Sequence, residues 1–166
     1  MTGFERNGDV VQFASYAPLL ARRDHTQWHP DLIYFSGTEV FRTANYYVQQ
    51  LFGQNSGDAC LPTSLGVTNL TSKLATSAVR DTTSGDVILK IVNGADAPAA
   101  VVVALEGLGS KDLRTTRTIL TGESPDAFNE DAKEPAVKPV TEELTLNANF
   151  EYEAPANSLT VFRLRK

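Results

Sequence analysis

The six residues His25-Thr26-Gln27-Trp28-His29-Pro30 hold both histidines and the only tryptophan of a 166-residue chain. An indole stacks on the apolar face of a ring, and imidazole and carboxamide groups exchange hydrogen bonds with hydroxyls. Two histidines four residues apart would suit a metal ion if they lay on a helix. Pro30, however, pushes His29 out of the α region and makes the run a loop. There is no third histidine, and the lone Cys60 offers neither a thiolate pair nor an intrachain disulfide. No metal or other cofactor is therefore implied.

The elements on either side of this loop decide where its side chains point. Ala17 to Ala21 reads as a short apolar strand opened by Pro18. Beyond the loop, Asp31 to Phe35 and Glu39 to Phe41 form a hairpin-like excursion around Ser36-Gly37. Thr43 is placed to cap a helix over Ala44 to Phe52, with Ala44, Tyr47, Val48, Leu51 and Phe52 on one apolar face assigned to core packing. Gly53 to Asp58 ends that helix. Upstream, Thr2 to Tyr16 is expected to be helical in two short pieces around Gly8, with Val10, Val11, Phe13 and Ala14 as its apolar stripe. Glu5, beside Arg6, is expected to be a solvated surface charge. A strand that runs into a polar, aromatic loop and then a helix is the layout of a strand ending at a ligand face.

Ten of the fourteen aromatic residues precede Cys60, and the chain changes character there. Turn-bounded β segments follow: Thr63 to Thr68, Leu74 to Asp81, Asp86 to Asn93, Ala99 to Leu108, Thr115 to Thr121, Thr141 to Leu146 and Ser158 to Leu164. Alternation is plain in Val87-Leu89-Ile91 and in Leu159-Val161-Leu164, while Val101 to Leu105 reads as buried on both sides. Asp126 to Val140, with Pro125 just before it and Pro135 and Pro139 within it, is a long connecting loop. The spacing predicts an antiparallel sandwich and a division into residues 1–58 and 59–166.

The formal charge is -5 with no basic stripe, which argues against a nucleic-acid partner. No apolar run approaches the roughly 20 residues of a membrane helix. MTGFERNGDVVQF lacks the basic and apolar regions of a secretory signal, so a fuller protein that is secreted or periplasmic would carry its signal elsewhere. Asn69-Leu70-Thr71 is a glycosylation triplet of the kind that also occurs by chance.

The strings MTGFERNGDVVQFASYAPLLA, HTQWHPDLIYF and TANYYVQQLFGQNSGD, followed by a sandwich closing on SLTVFRL, resemble the C-terminal region of family 51 glycoside hydrolases, the α-L-arabinofuranosidases. The resemblance covers essentially the whole chain and is most specific over the first 58 residues. It implies a mainly β fold: a C-terminal antiparallel, jelly-roll-like β-sandwich preceded by the last strand-loop-helix portion of a (β/α)8 barrel. It also implies retaining hydrolysis by two glutamates about 5 Å apart. Both lie before the point that matches Met1, so no catalytic residue is carried over and the chain alone is expected to be inert.

Active faces of such barrels are built by loops after the strands. That placement makes His25, Gln27 and Trp28 candidate substrate contacts, with Trp28 stacking on a sugar and the other two bonding hydroxyls. The alternative is that Trp28 wedges the loop against the barrel rim and Gln27 satisfies loop backbone groups. Arabinose-containing glycans are then the expected partner of the parent enzyme. The competing functions are a stand-alone carbohydrate-binding sandwich, for which the later aromatics are few, and a homo-oligomerisation module without ligand. With its barrel neighbours lacking, segment 1–58 is expected to lean on the sandwich or on another copy of the chain.

Overall fold

A computed structural model describes residues 1–66, 73–109, 112–129 and 134–165. Helix α1 (Thr2–Arg6) is much shorter than the pattern predicts. Asn7 leaves helical geometry, and its side-chain amide donates to the Gly3 carbonyl at 2.7 Å. The apolar stripe beyond it finds no wall, with Val10 76% and Phe13 85% exposed. A short helix without a packed face is marginal in water, and residues 11–16 have no regular structure.

Strands β1 (Leu20–Arg22), β2 (Ile33–Phe35) and β3 (Val40–Arg42) form a small sheet, with β1 parallel to β2 and β2 antiparallel to β3. Thr43 then caps α2 (Ala44–Gln54): its hydroxyl oxygen accepts from the Tyr46 N–H at 3.2 Å and its proton goes to the Leu32 carbonyl at 2.8 Å. One side chain thus starts the helix and ties it to the entrance of β2. The helix runs on through Gly53 and ends when the backbone and side-chain nitrogens of Asn55 both donate to the Leu51 carbonyl. An amide, not a glycine, closes it.

The rest is an antiparallel β-sandwich. Its strands are β4 (Ala59–Leu61), β5 (Leu74–Arg80), β6 (Val87–Asn93), β7 (Ala99–Ala104), β8 (Leu113–Thr121), β9 (Val140–Leu146), β10 (Asn149–Ala154) and β11 (Ser158–Leu164). Six pair in the order β4-β5-β6-β11-β8-β9, and β10 pairs with β7 to make the second sheet. Five of the seven expected strands recur with close boundaries. The first does not: residues 63–66 are not strand, Val67 and Thr68 lie outside the described residues, and the sheet instead starts at β4. The triplet Asn69-Leu70-Thr71 also lies outside them. β10 was not anticipated. β7 stops at Ala104 and is covered on one side only, with Val103 buried and Val102 79% exposed. A two-stranded layer has a single inner face.

The large sheet has two dry faces. On one, Ala78, Leu89, Val103, Tyr152, Phe162 and Leu164 share a core in which the Tyr152 and Phe150 rings contact Phe162 at centroid distances of 4.9 and 5.3 Å. On the other, Val79, Ile88, Leu120, Leu159 and Val161 pack with Leu51 and Phe52 of α2 and with Val137. The helix therefore buries the face expected of it. β6 and β11 are covered on both sides, so their residues do not alternate between buried and exposed. Residues 126–129 and 134–139 form the expected connection, and Asn129 fastens it by donating to the carbonyls of Val137 (2.8 Å) and Arg42 (3.1 Å).

Candidate functional site

The loop of residues 23–32 joins β1 to β2. Asp24 takes a positive φ of 60°, a conformation short polar residues tolerate, and the His25 N–H donates to the Arg22 carbonyl at 3.1 Å. Thr26 organises the middle. Its hydroxyl oxygen accepts from the Trp28 N–H at 3.2 Å, and its proton can reach the Trp28 carbonyl (3.1 Å) or Asp31 Oδ2 (3.3 Å). The far end is fixed by Tyr34, whose hydroxyl accepts from the Asp31 N–H at 2.9 Å and lies 3.0 Å from His29 Nδ1. The His29 and Tyr34 rings also stack, with centroids 5.9 Å apart. Asp31 is buried at 1% exposure.

His25, Gln27 and Trp28 share this loop and all face solvent, Trp28 being 70% exposed. Within the described residues, no wall of this chain closes over the indole. The backbone-satisfying work that the alternative gave to Gln27 falls to Thr26. Thr26, Asp31 and Tyr34, the residues that build the loop, were not singled out from the sequence; a hydroxyl two residues before a loop tryptophan, able to close a local side-chain turn, was the available signal. Among the described residues no group of three or more His, Cys, Asp or Glu side chains is placed to hold a metal.

A second polar cluster joins the opening segment to the sandwich. Glu5 is not a solvated charge: only 16% of its side chain is exposed, and its Oε1 accepts from Lys90 Nζ at 2.7 Å. Its Oε2 accepts from the Ser77 hydroxyl at 2.6 Å. Lys90 is wholly buried, donates to the Asn55 carbonyl at 2.7 Å, and holds its ammonium 5.2 Å from the centre of the Phe52 ring. Burial pushes the Lys90 ammonium below the ordinary lysine value, and the Glu5 carboxylate acts in the opposite direction. The expectation failed because neighbouring Arg6 gave no hint of a partner 85 residues away.

Next to this cluster the chain crosses closely over β5. A Cβ on Gly57 would meet the Arg80 carbonyl oxygen at 2.5 Å, so only glycine fits there. Asp58 Oδ1 then accepts from the Thr82 N–H at 2.8 Å, and the Thr82 hydroxyl donates to its other oxygen. These two bonds hold the Asp58 carboxyl below the usual carboxylate range.

With an exposed ring-bearing loop, a capped helix and a two-faced sandwich in place, comparison decides the family. The model of the α-L-arabinofuranosidase C-terminal domain matches residues 1–158. The chain belongs to that family. Among relatives of this arabinofuranosidase C-terminal domain, α-L-arabinofuranosidase A of Aspergillus niger is 32% identical over 163 residues, covering 97% of this chain and 25% of its own length. An extracellular exo-α-L-arabinofuranosidase of Streptomyces chartreusis is 51% identical over 79 residues, which is 48% of this chain and 10% of that protein. The arabinose-bound MgGH51 α-L-arabinofuranosidase superposes with a TM-score of 0.88 at 34% identity, over 99% of this chain and 26% of its own. The chain thus spans about a quarter of the length of the relatives that it matches end to end.

Proposed function

We propose that this C-terminal domain works as the non-catalytic part of a retaining α-L-arabinofuranosidase that removes terminal non-reducing α-L-arabinofuranosyl residues from arabinose-containing polysaccharides. Residues 1–58 form the edge of the catalytic barrel, and residues 59–166 form the sandwich that braces it. The two hydrolytic carboxylates belong to the remainder of the enzyme. The observation that carries this reading is the family match over 1–158 together with where apolar surface is left open. Among the described residues, nine of the thirteen exposed large hydrophobic side chains fall in the first 40 positions, among them Phe13, Leu20, Phe35 and Val40. Exposed apolar side chains concentrated in one segment support a place where another part of a protein sits. On that reading the Trp28 loop lies at the sugar-binding face, where Trp28 stacks on a furanose ring and His25 and Gln27 bond its hydroxyls.

The binding-module alternative has less to stand on. Of the four aromatic residues after Cys60, only Phe128 is well exposed, while Tyr152 and Phe162 are buried. The test uses the complete enzyme that contains this chain. Trp28→Ala is expected to raise KM for an aryl arabinofuranoside by about tenfold with the fold intact, in line with the loss of one stacking contact. The 166-residue chain alone is expected to release no arabinose. Catalytic turnover by this chain alone, or an unchanged KM in the Trp28 variant, would overturn the respective part of the assignment. Sedimentation of the isolated chain tells whether a second copy covers the same apolar surface.

A further inference from the structure

Lys90 sits in the middle of β6, a strand buried on both faces, and its partners come from the opening segment: the Glu5 carboxylate of α1, the Asn55 carbonyl at the end of α2 and the Phe52 ring. The sandwich answers with Ser77, whose hydroxyl takes the second oxygen of Glu5, and with the Thr76 carbonyl, which accepts from the Arg6 guanidinium. Apolar contacts tolerate sliding and repacking, because hydrophobic burial is non-directional. A buried ammonium does not, since each lost acceptor leaves a desolvated charge. Leu51 and Phe52 packed on Ile88 and Val79 could settle in several positions, but only one position brings two acceptors from two separate helices to the same nitrogen.

We propose that Lys90 is a latch that sets how segment 1–58 seats on the sandwich, satisfied only when α1 and α2 are both in place. Its influence runs outward along α2. At the other end of that helix, the Thr43 hydroxyl donates to the Leu32 carbonyl, and Asp31 next to it accepts from the Thr26 hydroxyl and donates its backbone N–H to the Tyr34 hydroxyl. Lys90 is thereby a positioning residue for the loop that bears Trp28, although it touches none of that loop. The latch is a property of the chain itself and stands whether or not Trp28 binds sugar.

The test is hydrogen exchange on the whole chain. A Glu5→Met/Lys90→Met double variant removes both charges and leaves apolar side chains in their place, a change that often spares global stability. Amides of residues 4–11 and 51–58 are expected to exchange at least about tenfold faster, while those of β6, β8 and β11 keep their protection. Wild-type protection at 4–11 and 51–58 would show that packing alone sets the seat and would overturn the proposal. An equal loss throughout β6, β8 and β11 would overturn it too, because the pair would then be a general stabiliser. Should the double variant not fold, Glu5→Gln keeps the shape and one acceptor oxygen but removes the charge. Faster exchange confined to residues 4–11 is then expected, and no change there would sink the latch.

Discussion

The two faces of the six-stranded sheet are sealed by different means. Toward β7 and β10 the seal is shape: aromatic rings against aliphatic side chains, with one internal hydroxyl pair, Tyr152 to Thr160 at 2.7 Å. Toward α1 and α2 the seal combines an aliphatic cluster with the buried Lys90–Glu5 ion pair. The first face joins two parts of one sandwich, and the second joins the sandwich to a segment whose partners for Lys90 lie 35 and 85 residues away in sequence. Burial alone suffices where the strands are already held by their pairing. Where separate helices must be placed on a sheet, charge supplies the direction that apolar contact lacks.

The sharpest way to break this comparison is to damage each face in turn. Phe162→Ala removes a ring that touches two others on the shape-sealed face and should cost about 4 kcal/mol in a urea titration, with the whole sandwich unfolding at lower denaturant. Lys90→Met strands the Glu5 carboxylate and should cost about 3 kcal/mol. If the charge in fact contributes nothing to that face, the single change will be nearly neutral and a double-mutant cycle with Glu5→Met will show no coupling. Tyr152→Phe leaves the buried Thr160 hydroxyl without its partner and should cost about 1 to 2 kcal/mol. Thr43→Ala removes the cap of α2 and should cost about 1 kcal/mol, with faster exchange at the start of the helix and no change in β10.

The smallest effect concerns pH. Asp58 has a folded-state pKa lowered by its two bonds from Thr82, so it contributes stability that is present above the unfolded carboxylate value of 3.8. That contribution is lost as pH falls through the lowered folded value. Thr82→Val keeps the backbone bond and loses the hydroxyl. It should reduce thermal stability at neutral pH, with the difference from wild type closing in acid; a difference that persists at the acid end would assign the effect to packing instead. Lys90 carries the same sign in a more alkaline interval. Between its lowered folded value and 10.5 the unfolded chain binds more protons, so its contribution to stability grows as pH rises through that interval.

Much of the fold was legible because its determinants are local. The Thr43 cap, the apolar face of α2, the hairpin around Ser36-Gly37 and most sandwich strands rest on residue types within a few positions of one another. β10 was legible as well and was missed: Phe150, Tyr152 and Ala154 alternate with Glu151 and Glu153 in the way a half-buried strand demands. What local pattern does not carry is pairing at a distance. The parallel pairing of β1 with β2, the exposure of Phe13 and above all the meeting of Glu5 with Lys90 depend on tertiary contacts. In the candidate site, the ring-bearing loop was found from its composition, whereas the braces that shape it, Thr26, Asp31 and Tyr34, emerged only from geometry.

Strand order also bears on how the molecule is made. β4, β5 and β6 form one block and β8 and β9 another, and the two meet only through β11. During synthesis the halves must therefore wait, each with a bare edge of unpaired amides and carbonyls, until residues 158–164 have left the ribosome and can slide in between. A nascent chain arrested before that point would offer chaperones, or other nascent chains, the very slot that the last strand is meant to fill.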